Sequence, residues 1–410
     1  MNDLPPHPDN TNASSVAIIG SGIAGSAAAW RLATVPSTQP GRITVYEIGR
    51  GPGGRGATRK TRSIPELSIN HGVPYADIST EQGRALLAAM GDSIQPYAGT
   101  RGVVDGATGA FMPQGESDGV RLIRGANGEM ANIAASLLQD DNGDRLPPVT
   151  TAYSTMVRGL ARGTTPADPW ILTDRQGDEV GRADWLIVAG NGVAHPRWSD
   201  TFGGEPPLVG AASALDDDQL NESLGVIGQQ TAAPVSTVLL YATGAVAREW
   251  KALAFNDALV KGHDVLAKIS IQPCGADGCA VVLHSTTPFA LENAGVHGAS
   301  SSAARVGNAA SSADREAIIV DEMLAALGTI PDMPTVEKSA YPFGPLLHRW
   351  GNAFPRGEPL AAAQAVCPGA RVAFCGDYVE TAARMGSYEC ALLSGVNVAD
   401  TLIPYLQSGR

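Results

Sequence analysis

The stretch that decides the fold is Val16-Ala17-Ile18-Ile19-Gly20-Ser21-Gly22-Ile23-Ala24-Gly25, succeeded shortly by Ile43-Thr44-Val45-Tyr46-Glu47. Residues 16–19 are a short apolar run bounded by glycine, the pattern of a parallel strand covered on both faces. Residues 23–33, rich in Ala and Leu, read as a helix that ends before Pro36, and 43–47 read as the next strand. The turn between strand and helix is Gly-x-Gly-x-x-Gly. Gly20 permits the tight turn, Gly22 lets backbone approach a diphosphate, and Gly25 allows helix to pack on strand, while Ile23 and Ala24 open the helix whose amides face the anion. Glu47 stands 22 residues after Gly25, where a carboxylate accepts hydrogen bonds from an adenosine ribose. This β-α-β unit predicts a dinucleotide site.

The same grammar returns at the other end of the chain. Residues 372–375 read as a strand, Gly376 and Asp377 break it, and 386–402 read as an Ala/Leu/Val helix. Residues 185–189 are another buried strand, 130–138 have helical spacing, and 157–160 with 170–172 form a small meander. The middle reads differently: a helix with an acidic first turn at 216–224, strands at 235–241, 265–271 and 280–284, and an amphipathic helix at 315–327. Strands and helices there do not alternate, so the expected fold is an α/β Rossmann-type domain, discontinuous in sequence, with an inserted α+β substrate domain. The expected boundaries are a lead-in over 1–14, a cofactor domain from 15–80, 121–205 and 368–410, and a substrate domain from 81–120 and 206–367.

Composition narrows the function. The 410 residues carry 29 Lys and Arg against 41 Asp and Glu, a net charge of −12 with no basic tract, which argues against a nucleic-acid partner. Apolar residues at 44% against 17% charged give ample core, so disorder is excluded. The 48 glycines and 28 prolines exceed the usual share without any collagen or linker period, and demand turns and close backbone approaches. Five cysteines in no C-x-x-C pair point to a reducing compartment, and with no signal-like leader and no apolar run of membrane-spanning length the chain reads as cytoplasmic, without a membrane partner.

The choice of dinucleotide rests on the two segments C-terminal to Glu47. Gly51-Pro52-Gly53-Gly54-Arg55-Gly56 offers amides and a guanidinium to a second approach on the diphosphate. Ile69-Asn70-His71-Gly72-Val73-Pro74-Tyr75 comes shortly after. Together these resemble the flavin amine oxidase superfamily, whose FAD-binding domains carry a Gly-Gly-Arg turn and then an apolar-Asp-x-Gly segment; here Asn70-His71 replaces the Asp-containing pair. The C-terminal Phe374-Cys375-Gly376-Asp377 is similar to the family's strand-Gly-Asp, and Met385-Gly386-Ser387-Tyr388-Glu389-Cys390-Ala391 to its helix start. The resemblance implies an FAD-binding Rossmann-type domain in a p-hydroxybenzoate hydroxylase-like or amine oxidase-like architecture. It implies that Gly72 lets backbone lie against the isoalloxazine, that Asp377 meets a ribityl or diphosphate-proximal hydroxyl, and that the helix opening at Gly386 and Ser387 points at the flavin. Val157 is counted with Gly54 and Arg55 among the cofactor-binding residues.

Within that superfamily, Val281-Val282-Leu283-His284-Ser285-Thr286-Thr287-Pro288-Phe289 and Leu347-His348-Arg349-Trp350 resemble segments of the renalase family. That resemblance implies an oxidase that transfers hydride from 2- or 6-dihydro isomers of NAD(P)H to FAD and reduces dioxygen to hydrogen peroxide, with a small-molecule substrate and a monomeric or homodimeric protein. Such a reaction needs no strong base, because the ring nitrogen lone pair expels the hydride. His284, as a polar contact to flavin or substrate amide, and Trp350, as an aromatic wall, are the candidate catalytic residues; a sheet histidine and a core tryptophan are the alternatives. No cysteine sits at an evident flavin-linking position, so FAD is expected to be noncovalent.

Other features point away from chemistry. Gly190-Asn191-Gly192 lacks the third glycine of a nucleotide loop and reads as a chain-crossing turn, and Asp216-Asp217-Asp218 as the acidic start of a helix. Asp140 to Asp144 mimics a calcium loop, but Arg145 occupies the glycine position, and the seven histidines show no metal-ligand spacing, so no metal is expected. His348-Arg349 is either an anion contact or a surface ion pair. Two further readings stay open: an amine oxidase or desaturase, for which Lys268 is the lysine on a plausible pocket strand, and a catalytically silent flavoprotein.

Overall fold

The computed structural model of the chain describes residues 14–35 and 40–407, apart from 116, 141, 142, 145, 164, 166, 167, 297, 300, 308, 310 and 311. The expected lead-in before residue 14, and parts of the 140–145 turn and of the Ala/Ser/Gly-rich stretch at 298–312, lie outside the described residues.

A six-stranded sheet carries the Rossmann-type unit, in the order Val149–Tyr153, Arg42–Glu47, Ser15–Ile19, Trp185–Ala189, Val372–Cys375 and Val366–Cys367. The first five are parallel and the last is antiparallel. Alternate residues feed two separate cores, as a doubly covered sheet requires. Ile18, Val45 and Ile187 face the helices Ile23–Thr34 and Tyr388–Gln407, while Ala17, Leu186 and Phe374 face a three-stranded antiparallel sheet around Trp170 and the helix Asp218–Gln229. The two helices on the first face cross closely because position 395 is glycine: a Cβ there would lie 2.1 Å from the Ala24 carbonyl oxygen.

The second layer is a seven-stranded sheet, in the order Phe343–Arg356, Thr231–Ala242, Gly278–Ser285, Leu266–Cys274, Asp257–Lys261, Arg101–Asp105 and Phe111–Pro113. One face packs Val238, Leu283 and Ile269 against the helices Gly244–Lys251 and Ala313–Leu327. The other face looks toward the nucleotide-binding unit. The hairpin Thr58–Thr61 and Ile64–Asn70 covers part of it through Leu67 and Ile69, and a small sheet of Ala76–Ile78, Arg121–Gly125 and Ile94–Pro96 stands beside it.

The strands expected at 185–189 and 372–375 are found with those bounds. Other expectations shift. The strand expected at 157–160 is Gly159–Arg162, and Val157 lies buried before it. The strand expected at 280–284 runs Gly278–Ser285, and Thr286 accepts a hydrogen bond from Phe289 N to cap the helix Thr287–Glu292, as Pro288 in the first turn favours. The helix Glu81–Met90 inserts Leu87 and Met90 into the core of the parallel sheet, and Leu208, Leu220 and Ile227 cover that sheet's other face, although both segments read as substrate domain in sequence. Asp217 caps the helix Asp218–Gln229, as its acidic start predicts. The five cysteines are buried and unpaired, and no described helix is long and apolar enough to cross a membrane.

Candidate cofactor and substrate site

The glycine loop has the geometry its spacing demands. Gly20 has φ +108°, and a Cβ on Gly25 would lie 2.0 Å from the Gly20 carbonyl oxygen, so neither position accepts a side chain without moving backbone. Ile23 and Ala24 are buried in the first turn of the helix. Gly22 differs: a Cβ there would meet nothing nearer than Gly54 Cα at 3.9 Å. Protein packing does not demand this glycine, whereas an anion lying against the loop does, so the residues present fit a diphosphate. The Gly-Gly-Arg turn docks onto this loop through Gly53 N donating to Ser21 O at 2.9 Å. Glu47 ties the two together, accepting from Ser21 N (2.9 Å) and from Gly49 N (2.6 Å). Its carboxylate thus organises both glycine turns at the end of its strand. Val157 packs in the core that includes Tyr46 and Ile48, next to this corner.

Arg55 and Asp377, two separate cofactor contacts by their motifs, bind one another. Arg55 Nη1 and Nη2 donate to the two Asp377 carboxylate oxygens at 2.5 and 2.6 Å, and Nη1 also donates to Ala353 O at 2.7 Å. Asp377 is 4% exposed, so this pair staples the Gly-Gly-Arg turn, the C-terminal strand and the end of the Trp350 strand at one point. Gly376, at φ +146°, donates its N–H to Ser394, and Gly386, at φ +81°, donates to Asp377 O. Ser387 Oγ accepts from Cys390 N and so opens the helix Tyr388–Gln407. Gly72 is needed for a reason its motif does not contain: a Cβ there would sit 2.2 Å from Arg55 O and 3.1 Å from Trp350 Cζ2. The close approach is to the arginine turn and the tryptophan.

His284 and Trp350 do come together, around a residue that sequence reasoning misses. The His71 carbonyl oxygen accepts from Trp350 Nε1 at 3.3 Å and from His284 Nε2 at 3.2 Å, which places the His284 proton on Nε2. The His71 ring stacks on Trp350 at 5.1 Å and meets the His348 ring edge-on at 4.7 Å. Thr237 lies between His284 and His348 in the strand register. Burial pushes His71 down to about 4 and His284 down to about 3, helped by the nearby cations Arg59 and Lys268 respectively; burial, His71 and Arg59 hold His348 well below its ordinary value. All three imidazoles are therefore neutral at physiological pH. His71 Nδ1, His348 Nδ1 and Thr237 Oγ1 are buried without a hydrogen-bond partner. Among the described residues no three His, Cys, Asp or Glu side chains are disposed to hold a metal.

Neighbours fix this cluster in place. Asn352 Nδ2 donates to Asn191 Oδ1 at 2.9 Å, and Asn352 Oδ1 accepts from Arg197, so the Gly190-Asn191-Gly192 turn anchors the Trp350 strand. Arg349 points the other way, donating to Ala290 O and Asn293 O at 2.9 Å each, and is not available to an anion. Lys268 stands beside His284 in register, with Nζ 2.9 Å from the buried Asp257 carboxylate. Asn70 accepts from Thr58 and Met130 N and wires the hairpin to the helix Ala131–Ser136. His71 is not evident in sequence because its partners lie more than 200 residues away; its adjacency to Gly72 is the available signal.

Residues 18–90 match the family profile of the NAD(P)-binding Rossmann-like domain. Putrescine oxidase bound to putrescine is similar in structure, at 13% identity and TM-score 0.55, over 95% of this chain and 99% of that one. The fold is the amine oxidase-like one. FqzB matches this amine oxidase-like fold at 16% identity and TM-score 0.55, over 98% of this chain and 79% of that one. The Diels-Alderase PyrE3 of pyrroindomycin biosynthesis matches at 14% identity and TM-score 0.52, over 96% of this chain and 66% of that one. No curated protein matches in sequence.

Proposed function

We propose that the chain is an FAD-dependent oxidase that takes hydride from 2- or 6-dihydro isomers of NAD(P)H, releasing NAD(P)+ and hydrogen peroxide. FAD, held noncovalently, would supply the hydride acceptor and the route by which two electrons reach dioxygen. Gly20, Gly22, Gly25, Gly54 and Glu47 would hold its adenosine diphosphate, and the Arg55–Asp377 staple with Gly386 and Ser387 its flavin end.

The observation that carries the substrate reading is the neutral cluster of His71, His284, His348 and Trp350. Neutral imidazoles with depressed basicity are poor proton acceptors but good hydrogen-bond partners. A dihydropyridine asks no more: its nitrogen lone pair expels hydride, no C–H or N–H proton needs a base, and the product gains aromaticity. Trp350 and His71 offer flat faces to a ring, while His284 and the unpartnered Thr237 hydroxyl suit a carboxamide. An amine oxidase is the second reading, with Lys268, on the same sheet face and bonded to Asp257, as its lysine.

Anaerobic mixing of the holoprotein with 6-dihydro-NAD and, separately, with a panel of amines tests this. Loss of oxidised-flavin absorbance with the dihydropyridine alone is expected. Bleaching by amines alone would establish the second reading, and none with any donor a silent flavoprotein. Acid precipitation is expected to leave the flavin in the supernatant; flavin remaining with the pellet refutes noncovalent binding.

A further inference from the structure

Beyond His284 the same sheet face changes character. The register runs His348, Thr237, His284, Lys268 and Leu259 across five strands, then Val103 and Met112 to the edge. Lys268 is thus one strand from His284, about 5 Å, and the strand carrying Arg101 is three away, about 14 Å. Above them Tyr75 and Tyr97 stack at 4.5 Å. Three cations surround this pair: Lys268 Nζ is 5.3 Å and the Arg101 guanidinium 5.4 Å from the Tyr75 ring, and the Arg124 guanidinium 5.9 Å from Tyr97. The carboxylates nearby are Asp257, bonded through Oδ1 to Lys268 and attracted also by Arg101, and the exposed Asp77. Arg101 and Arg124 make no ion pair among the described residues; Arg124 donates to the Gln95 amide oxygen at 2.9 and 3.2 Å, in the amide orientation that satisfies both groups. In a chain of net charge −12, two half-buried arginines that make no ion pair leave positive charge for an anion to complete.

We propose that Arg101, Arg124 and Lys268, around Tyr75 and Tyr97, form an anion subsite that takes the phosphate-bearing part of the substrate while its reacting ring lies at His71, His284 and Trp350. This rests on the hydride-transfer reading above and deepens it. Tyr75 comes four residues after His71 on one segment, so ring site and anion site are held by a single stretch of chain. Guanidinium groups in this arrangement give bidentate, charge-assisted hydrogen bonds to phosphate oxygens.

The test uses the holoprotein, with Arg101→Gln and Arg124→Gln and the charge-keeping Arg101→Lys, each checked for an unchanged flavin spectrum and melting temperature. Calorimetric titration with inorganic diphosphate is expected to give binding in the parent that weakens about tenfold or more in each Gln variant and is partly restored in Arg101→Lys, which keeps the charge but not the bidentate donors. The parent's preference, in kcat/KM, for 6-dihydro-NAD over 1-methyl-1,6-dihydronicotinamide should fall by a similar factor in the Gln variants, through KM. Equal diphosphate binding in parent and Gln variants, or no binding by the parent, overturns the subsite. If neither donor bleaches the flavin yet diphosphate binding still depends on Arg101, the hydride reading fails and the subsite stands.

Discussion

The neutral histidines make stability depend on pH in a way that can be worked out in advance. In the unfolded chain each takes up its proton near pH 6.5. In the folded chain burial holds His71 down to about 4 and His284 down to about 3. The unfolded state therefore binds protons first as pH falls, so stability is full above about pH 6.5 and drops progressively toward the folded values. At pH 5 each histidine costs about 1.5 pH units at 1.36 kcal/mol per unit, about 2 kcal/mol, or about 4 kcal/mol for the two. With 410 residues at about 2.1 cal/mol/K each, that corresponds to a fall in Tm of about 5 °C between pH 7.5 and pH 5. Thermal melts at both pH values, on the parent and on a His71→Gln/His284→Gln variant, read the effect of these two rings, because the other buried histidines, His195 and His348, are present in both and burial is the first cause of their lowered values too. The parent should lose about 5 °C more than the variant. Equal losses would show that these rings are not held neutral by burial.

The Arg55–Asp377 staple predicts that Asp377→Ala removes two charge-assisted bonds and leaves a guanidinium only 32% exposed; discounted for that exposure, about 2–3 kcal/mol of stability should go, with weaker flavin retention on gel filtration. Glu389, 2% exposed, accepts four hydrogen bonds from the backbone and hydroxyls of Ser79 and Thr80, so Glu389→Ala should cost about 3 kcal/mol or more and raise hydrogen exchange in Glu81–Met90. Gly25→Ala should give protein without flavin, since its Cβ would lie 2.0 Å from Gly20 O and 2.9 Å from Ala189 Cβ; a fully flavinated variant would contradict the loop assignment. Should any amine prove a substrate, its rate should rise about tenfold per pH unit below the amine's own pKa, because only the uncharged form suits the pocket; a flat profile refutes that.

The parallel sheet is legible in the sequence because its information is local. A glycine turn, an apolar run and a carboxylate at fixed spacing each arise from the geometry of one β-α-β unit, and the strand before Gly376 repeats the pattern. The site is legible as segments, not as an arrangement. Arg55 and Asp377 each carry a recognisable motif, but 322 residues separate them, and nothing in either segment says that one binds the other. His348 and Arg349 are adjacent in sequence and suggest a joint anion contact, yet alternation along the strand sends the two side chains to opposite faces, one to the histidine cluster and the other to the helix Thr287–Glu292. Asn70 reads in sequence only as a departure from a motif, and in the fold its side chain makes three hydrogen bonds to Thr58, Gly128 and Met130. Segment boundaries slip where buried residues continue past a strand end, as at Val157.

The electrostatics of the ring site choose between substrates more sharply than its shape does. A protonated amine brings a positive charge that, inside a poorly hydrated pocket, needs a carboxylate to offset its desolvation. On this face Asp257 is the buried carboxylate, its Oδ1 is bonded to Lys268, and burial raises its pKa. Arg59 and Lys268 meanwhile act on the three imidazoles with the same sign as an entering aminium. A dihydropyridine enters uncharged at its ring and acquires positive charge only as hydride leaves. That developing charge is delocalised over an aromatic ring, where the faces of Trp350 and His71 can meet it. The anionic part of the same molecule is attracted by the arginines around Tyr75 and Tyr97. Both ends of the face disfavour a cation, and the end around Tyr75 and Tyr97 gathers three cations for an anion, so a donor with a neutral ring and a remote phosphate is oriented with its phosphate at that end before any bond changes.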